Sequence, residues 1–192
     1  MDQSVTFNTA WGWMGMTASA KGAQAGVSRI ILPQASRRAV ERELSRPLTR
    51  ALASLNGRTA AGAAQHKHTA RVLREARAQV VAFLEGKRRA LDFPINLSGG
   101  SAFQRRVWRA IVPIPYGRVR SYKWVARRVG GTHYARAVGH ALGANPVPIV
   151  IPCHRVVAHD ASLGGFTGGL RAKRRLLHLE GTLRQLKMKN SK

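Results

Sequence analysis

The residues with the clearest chemical potential in this sequence are Cys153 and His154, which are adjacent in the chain. Cys153 is the sole cysteine among 192 residues. A free thiol is a weak nucleophile because only a few per cent of it is ionised at neutral pH, so a reactive cysteine needs a base or a dipole nearby. His154 is the candidate base, either through a direct hydrogen bond or through a bridging water. The structural alternative is that Cys153 is a small core residue.

An apolar run, 147–151, leads into Cys153 and is punctuated by Pro146, Pro148 and Pro152. Proline lacks a backbone N–H and has a fixed φ, which excludes a helix or a central strand here. We therefore expect a buried, stiff, extended connector that carries Cys153 to a defined position.

The composition is strongly basic, with 33 Lys and Arg against 8 Asp and Glu and a formal net charge of +25. Such an excess favours polyanionic partners, nucleic acid first, although charge alone does not separate this from a generally basic surface. One cysteine excludes an internal disulfide framework and a zinc cluster of several thiolates. His66 and His68 have no cysteine or carboxylate close in sequence, so we expect no metal.

The sequence contains no run of about 20 apolar residues that could span a bilayer, and its N-terminus does not resemble a signal peptide. A hydrophobic content of 44% is sufficient for a packed core. We expect a soluble, cytoplasmic protein with no membrane association.

In the N-terminal half, short apolar runs broken by glycine and asparagine over 4–32 predict a β-meander that ends at Pro33. A helix is expected over 36 to about 55, a mobile loop over 56–68, and an amphipathic helix over 69–86. The glycines and serines of 98–101 indicate a domain boundary. These patterns divide the chain into an N-terminal α+β domain (1–98), a C-terminal domain (99–184) and a basic tail (185–192).

In the C-terminal half, Ser101 is the expected N-cap of a helix over 102–111. Two further short helices follow, over 122–129 and 134–142, with Ser121 and Thr132 as their caps. Two helices joined by a glycine-containing turn, the second with an arginine near its start, form a candidate helix-turn-helix, and an ordinary helical hairpin is the alternative. A glycine-rich loop over 162–169 precedes a last helix over 170 to about 183.

The residues around Cys153 resemble the O6-alkylguanine-DNA alkyltransferase family, also called methylated-DNA–protein-cysteine methyltransferases, over about 82–183. Each matching segment is weak by itself, but together they occur in the family's order and spacing. The matching segments are Phe103-Gln104-Arg105-Arg106-Val107-Trp108, Ile114-Pro115-Tyr116-Gly117, Ser121-Tyr122, Arg136-Ala137-Val138-Gly139, Asn145-Pro146, Ile151-Pro152-Cys153-His154-Arg155-Val156, Gly168-Gly169-Leu170 and Leu176-Leu177-His178-Leu179-Glu180-Gly181.

The resemblance implies an α+β chain in which a ribonuclease H-like α/β domain precedes a mostly helical, winged helix-turn-helix-like domain that carries the active site. It also implies a reaction in which the Cys153 thiolate takes the alkyl group from O6 of guanine in DNA. His154 would then act as the base through water, Glu180 would orient His154, and Tyr122 would donate to the departing guanine. Because the thioether product has no comparable leaving group, the reaction would be irreversible and would occur once per molecule, without a cofactor.

The family also implies a DNA-binding role for several other positions. Arg136 matches the arginine that replaces the flipped nucleotide, and Asn145 matches the asparagine that ties the recognition helix to the active site. Phe166, Thr167 and Val156 would contact the extrahelical base, and Phe166 lacks the hydroxyl of the tyrosine often found there. Ser121, Ala135 and Ala137 complete the expected DNA-facing set.

The expected partner is thus DNA that contains O6-alkylguanine, with O4-alkylthymine as an open question, and the protein is expected to be a monomer. Some relatives bind zinc through N-terminal cysteines that this chain lacks, so no zinc is expected. Two alternatives remain: a non-catalytic lesion binder or transcription regulator on the same fold, and a cysteine hydrolase. The hydrolase explains neither the helix-turn-helix nor the charge.

Overall fold

The computed structural model describes residues 2–20, 25–46, 60–160 and 162–186. The chain is a mixed α/β protein with two compact units, 1–99 and 100–192. Within the described residues, no helix is both long enough and apolar enough to cross a membrane.

The first unit is built on a three-stranded antiparallel sheet in the order β1 (Asp2–Thr9), β2 (Gly12–Ser19) and β3 (Gly26–Gln34). The predicted meander is confirmed. Pro33 does not end it, because β3 continues to Gln34, and a proline is tolerated near the end of a strand. Gly12 has a φ of +118°, and a Cβ there would lie 2.6 Å from the carbonyl oxygen of Gln34. The turn between β1 and β2 therefore depends on glycine.

Two helices accompany this sheet. Helix α1 (Arg37–Leu44) starts at Ser36, whose side chain accepts a hydrogen bond from the Ala39 N–H. The predicted helix over 36 to about 55 is too long, because α1 ends at Leu44 with Ser45 as its C-cap, and 47–55 lie outside the described residues.

Helix α2 (Ala60–Leu84) corrects the prediction of a mobile loop over 56–68. Residues 60–68 are helical, and 56–59 lie outside the described residues. The alanine-rich start of α2 carries no apolar periodicity, but alanine has the highest helix propensity and extends a helix that its later turns anchor. Those later turns bury Val72, Ala76, Val80 and Phe83.

The second unit starts with α3 (Ala102–Ile111), which begins at a capping box. The Ser101 side chain accepts from the Gln104 N–H, and the Gln104 side chain accepts from the Ser101 N–H. This arrangement satisfies two backbone donors at the start of the helix. Trp108, 2% exposed, donates its indole N–H to the Ala141 carbonyl over 2.7 Å. The bond ties α3 to the helix that contains Ala141.

That helix is α5 (Ala135–Gly143), which follows α4 (Tyr122–Val129). Ser121 caps α4 as predicted. Thr132 does not cap α5, because Thr132–Tyr134 forms a separate 3-10 turn and α5 starts after Tyr134.

The segment before Cys153 is a tight turn rather than an extended connector. The Ile151 N–H donates to the Val147 carbonyl over 3.0 Å, and Ile149 has a φ of +77°. The prolines remove donors only at their own positions, so Ile151 keeps the N–H that closes the turn. Cys153 then opens a 3-10 turn, Cys153–Arg155.

A short β4 (Arg120–Ser121) pairs in parallel with β5 (Val156–Val157) directly after this turn. The last helix, α6 (Gly169–Leu179), is shorter than predicted. It stops at Glu180 because Gly181 takes a left-handed conformation, with a φ of +71°, which is a common way to end a helix.

Replacing Ser101 with alanine should lower the free energy of unfolding by about 1 kcal/mol, because it removes one side of the capping box. Chemical denaturation would measure the change. Ser98→Ala is the matched control, since Ser98 is an exposed serine that does not cap the helix. Equal effects of the two substitutions would contradict a capping role for Ser101.

Candidate active site

Cys153 lies on a cavity of about 610 Å³ in the second unit. Only 6% of the surface of Cys153 is exposed, so this cavity is the route by which the thiol can be reached. Helices α4 and α5 and the loop before α6 supply most of the wall. The lining residues are Tyr122, Ala135, Arg136, Gly139, His140, Leu142, Gly143, Cys153, Gly165, Phe166 and Thr167.

Asn145 holds the cysteine from the end of α5. Its side-chain amide donates to the Ile151 carbonyl over 2.9 Å and to Cys153 Sγ over 3.0 Å. Its side-chain oxygen accepts from the Val147 N–H over 3.0 Å. One amide thus closes the turn before Cys153 and orients the sulfur.

Burial raises the pKa of the Cys153 thiol above its ordinary value. The hydrogen bond from Asn145 and the positive charge of Lys173 oppose this effect, because both favour the thiolate. The resting group is therefore a protonated thiol that is surrounded by groups able to stabilise its anion.

His154 is fully buried. Its Nε2 lies 2.8 Å from Glu180 Oε1. Burial lowers the pKa of His154, and the hydrogen bond to Glu180 only partly offsets that change. A neutral ring that donates from Nε2 keeps its lone pair on Nδ1. Nδ1 has no hydrogen-bond partner among the described residues, so this lone pair is able to accept a proton.

Glu180 is the electrostatic centre of the site. Arg155 donates to it from Nε over 3.1 and 3.0 Å and from Nη2 over 2.9 Å, and the Gly117 N–H donates to Oε2 over 3.1 Å. Burial alone would raise the pKa of Glu180, but the hydrogen bonds from His154 and Arg155 lower it to about 2. The carboxylate is therefore ionised across the physiological range.

The Ile114-Pro115-Tyr116-Gly117 segment builds the surroundings of this carboxylate. Arg155 Nη1 donates to the Ile114 carbonyl over 2.7 Å, and the Tyr116 hydroxyl donates to the Leu179 carbonyl over 2.8 Å. The guanidinium of Arg155 lies 5.9 Å from the centre of the Tyr116 ring. The turn thus braces both ends of the Arg155–Glu180 ion pair.

Tyr122 also lines the cavity. Its hydroxyl donates to the Gly165 carbonyl over 3.2 Å. Burial raises the pKa of the phenol, and the neighbouring Cys153 raises it further, so the hydroxyl keeps its proton at neutral pH. Gly164 lies against the ring with a φ of +63°, and a Cβ there would come within 2.9 Å of a Tyr122 ring carbon.

The predicted DNA-facing residues divide into two groups. Arg136, Ala135, Phe166 and Thr167 line the cavity, and Arg136 is exposed at the second position of α5. The Thr167 hydroxyl donates to the Gly143 carbonyl over 2.7 Å.

Ser121, Ala137 and Val156 are not part of the cavity wall. The Ser121 side chain is used as the cap of α4. The Val156 carbonyl already accepts from Lys173 Nζ over 2.6 Å. A carbonyl oxygen has a second lone pair, so this bond does not by itself prevent a contact with a base.

Two residues of the site were missed from the sequence, Arg155 and Lys173. Arg155 appeared in the motif without a role, and nothing in its spacing showed that it would be buried on Glu180. Lys173 had a detectable signal, because it shares a helical face with the core residues Leu176 and Leu177. A lysine in phase with buried leucines indicates a functional or structural buried charge.

Comparison with known proteins agrees with this geometry. A profile of the 6-O-methylguanine DNA methyltransferase DNA-binding domain matches residues 102–182. A methylated-DNA–protein-cysteine methyltransferase of Mycolicibacterium paratuberculosis is 49% identical over 102 residues, which is 53% of this chain and 61% of that protein. The match therefore spans less than two thirds of that relative. A methyltransferase of the same description from Methanosarcina barkeri is 44% identical over 56% of this chain and 67% of its own length.

Solved structures extend the likeness over nearly the whole chain. The Mycobacterium tuberculosis O6-methylguanine methyltransferase superposes with a TM-score of 0.63 at 31% identity, covering 94% of this chain and 93% of that one. A structure of Mycobacterium tuberculosis OGT in complex with DNA gives 0.65 at 30% identity, with 93% of each chain covered. The protein described here belongs to the methylated-DNA–protein-cysteine methyltransferase family.

Replacing Gly164 with alanine should destabilise the protein by about 1–3 kcal/mol, because the new methyl group meets the Tyr122 ring and the backbone is left-handed there. Thermal and chemical denaturation would measure the loss. Gly165→Ala is the control, since a Cβ at Gly165 meets nothing within 4 Å. Equal stability of the two variants would show that the Gly164–Tyr122 contact does not constrain the loop.

The low pKa of Glu180 predicts that the folded protein loses stability in acid. Its pKa is depressed in the folded protein, so the stability it contributes is present above its ordinary pKa of 4.5 and is lost as the pH falls towards about 2. Between these values the unfolding free energy of the wild type should fall more steeply with decreasing pH than that of Glu180→Gln. Denaturation at a series of pH values gives the two slopes.

Glu75→Gln provides the control for this slope. Glu75 pairs with Arg71 on the surface of α2, where both side chains are well exposed and solvent screens the pair. This variant should therefore retain the wild-type slope. Parallel slopes for the wild type and Glu180→Gln would contradict the buried ion-pair network as the origin of the acid sensitivity.

Proposed function

We propose that this protein repairs O6-alkylguanine in DNA by moving the alkyl group to the sulfur of Cys153. The observation that carries the proposal is the position of the sole thiol on the cavity beside a histidine whose Nε2 is held by Glu180 and whose Nδ1 lone pair is available. This is the arrangement of an activated nucleophile, its base and an orienting carboxylate. The likeness to named methyltransferases supports it.

The proposed transfer is balanced in atoms and charge. The Cys153 thiol gives its proton to Nδ1 of His154 through a bridging water, and the resulting thiolate attacks the alkyl carbon. The bond between sulfur and carbon forms as the bond between carbon and O6 breaks, and the electron pair of that broken bond stays with the guanine. Glu180 stabilises the imidazolium that forms, which is the role its buried negative charge suits.

Tyr122 is the proposed proton donor to the departing guanine. Guanine is a poor leaving group as a bare anion, so a proton or a hydrogen bond delivered to it lowers the barrier. The raised pKa of Tyr122 keeps a proton available on the cavity wall, and the phenolate left after donation takes a proton from solvent.

The proposed product is a thioether on Cys153, and no second cysteine exists in the chain to accept the group from it. Water does not readily hydrolyse a thioether, because the thiolate it would have to displace from carbon is a poor leaving group. We therefore propose a stoichiometric reaction, one alkyl group per molecule, without metal or soluble cofactor. O4-alkylthymine is a further candidate substrate.

The architecture we propose around this site is a helix-turn-helix made of α4 and α5, preceded by a ribonuclease H-like first unit. The short turn over 130–134, with glycines of φ +136° and +142°, supports a sharp change of direction between the two helices. The second unit holds 18 of the 33 basic residues and only two acidic ones, Asp160 and Glu180. Such an excess favours the phosphate backbone of DNA.

An alkylated base inside a duplex cannot reach Cys153, so we propose that the nucleotide leaves the base stack and enters the cavity, at a cost of a few kcal/mol. Arg136, exposed where α5 begins and on the cavity wall, is the proposed replacement for the flipped nucleotide. A guanidinium can stack on and hydrogen-bond to the bases left behind. Ser121, Ala135 and Ala137 are proposed to lie against the DNA beside it.

Other residues are proposed to hold the flipped base. Phe166 offers a ring for stacking, Thr167 a backbone N–H for O6, and the Val156 carbonyl an acceptor for the exocyclic amine. Asn145 is proposed to keep Cys153 aimed at the alkyl carbon, which its hydrogen bond to the sulfur supports.

We further propose that the protein acts as a monomer in the cytoplasm. A flipped nucleotide needs one cavity, and every residue assigned to the reaction lies in one chain. A free, unpaired thiol is maintained in a reducing compartment. A non-catalytic lesion binder is a weaker assignment, because Cys153 and its base would then have no use.

Incubation with an oligonucleotide that contains O6-methylguanine should add one methylene unit to the intact mass of the protein, because a methyl group replaces the thiol hydrogen. Mass spectrometry measures the gain, which should saturate at one per molecule. Cys153→Ala should show no gain while it still binds the oligonucleotide. Turnover beyond one methyl per molecule, or a gain in Cys153→Ala, would contradict the mechanism.

Arg136→Ala should slow methyl transfer from duplex DNA by more than transfer from a single-stranded oligonucleotide, because only the duplex requires a substitute for the flipped nucleotide. Single-turnover rates on the two substrates measure the difference. Arg109→Ala is the matched control, since Arg109 is an exposed arginine of α3 that is not part of the cavity wall. If both variants slowed the two substrates equally, Arg136 would act only through its charge.

A further inference from the structure

Lys173 is the most unusual charged residue of the second unit. It lies on α6 and is fully buried, with 0% of its surface exposed. No carboxylate of the described residues lies within ion-pair distance of it. A buried ammonium without an anion is costly, so some nearby group must compensate the charge.

The contacts of Lys173 place its ammonium behind the cavity wall. Nζ donates to the Val156 carbonyl over 2.6 Å and to the Gly165 carbonyl over 3.2 Å. Val156 follows Cys153 by three residues, and Gly165 lines the cavity together with Cys153. Nζ also lies 6.0 Å from the centre of the Tyr122 ring.

We infer that Lys173 is the electrostatic counter-charge of the Cys153 thiolate, a positioning residue whose buried ammonium makes the sulfur anion attainable at a buried position. Its role in alkyl transfer rests on the proposed function, but its effect on the thiol does not.

The electrostatics of the other neighbours favour this assignment. Glu180 has its charge satisfied by Arg155, and the guanidinium of Arg155 is held in that pair and on the Ile114 carbonyl. The charge interaction between Lys173 and Cys153 lowers the pKa of Cys153 and raises the pKa of Lys173, as attraction between an ammonium and a thiolate requires. Burial outweighs the second effect and brings the pKa of Lys173 down to about 8.

The same two hydrogen bonds give Lys173 a second effect on the site. They join β5 to the loop before α6, and the Gly165 carbonyl also accepts from Tyr122. If Lys173 had only a structural role, holding β5 and the loop together would be its whole effect on the site. The pH dependence of thiol reactivity separates the two roles, because loosening the loop changes access to the sulfur without changing its protonation.

The test uses Lys173→Met, which keeps a buried unbranched chain but removes the charge. Cys153 is the sole cysteine, so the rate of its reaction with iodoacetamide reports this thiol alone. We expect the midpoint of the rate–pH profile to move to higher pH, and the rate at neutral pH to fall by roughly tenfold, as for the loss of one close opposite charge. A midpoint equal to that of the wild type, with only the plateau rate changed, would overturn the inference.

Arg174→Met is the matched control. Arg174 is the next residue of the same helix but is exposed, so its charge is screened by solvent. This variant should keep the wild-type midpoint. A shift equal to that of Lys173→Met would mean that net charge, and not the buried ammonium, sets the thiol ionisation.

A measurement on the wild-type chain covers the case in which Lys173→Met fails to fold. Coupling between two titrating groups is reciprocal, so blocking the thiol with iodoacetamide should remove the alkaline end of the Lys173 titration, where the thiolate of the unmodified protein holds the proton on Nζ. NMR titration of the ¹⁵N-labelled lysine Nζ groups before and after this reaction gives the change. An unchanged Lys173 titration would overturn the inference.

These experiments need no DNA. If the wild type did not take up a methyl group but Lys173→Met shifted the midpoint of the thiol profile, only the proposed function would be contradicted. Methyl transfer with an unshifted midpoint would count against the role of Lys173 alone.

Discussion

The active site depends on one buried carboxylate. Glu180 receives hydrogen bonds from His154, from Arg155 and from the Gly117 N–H. A buried carboxylate is stable only when its charge and its lone pairs are satisfied, and breaking such a cluster leaves an uncompensated charge. Separating the end of α6, the 3-10 turn that starts at Cys153 and the Ile114–Gly117 segment would therefore destabilise the second unit.

This constraint also controls the chemistry. The carboxylate holds His154 by Nε2, which leaves Nδ1 as the basic atom. Burial keeps the histidine neutral and the Cys153 thiol protonated. The charges that remain are the Arg155–Glu180 ion pair and the Lys173 ammonium, which is hydrogen-bonded to two carbonyls.

The cavity wall is held by several bonds that converge on a few backbone carbonyls. Gly165 accepts from both Tyr122 and Lys173, while Asn145 joins Ile151 and Cys153. These bonds link α4, α5, α6 and the glycine-rich loop around one sulfur atom. The loop needs glycine at position 164 because the Tyr122 ring occupies the space of a side chain. Precise placement of the walls thus comes from polar contacts as much as from apolar packing.

Sequence patterns alone identified the candidate nucleophile, its candidate base and most of the helices and strands. A sole cysteine beside a histidine, the ordered family segments and the serine caps at Ser101 and Ser121 are local signals, readable because chemistry and capping depend on residue type at short spacing. The local rules failed for the loop over 60–68, which is helical, and for the connector before Cys153, which is a turn. In the first case the helix propensity of alanine acts without any apolar periodicity to reveal it, and in the second the hydrogen bonds of Asn145 and of the Ile151 N–H close a turn. The position of Arg155 on Glu180 and of Lys173 behind the cavity wall became evident only in the folded structure, because 25 residues separate Arg155 from Glu180 and 20 separate Cys153 from Lys173. Burial of a charge depends on which distant groups meet it, and that is a property of the packed fold.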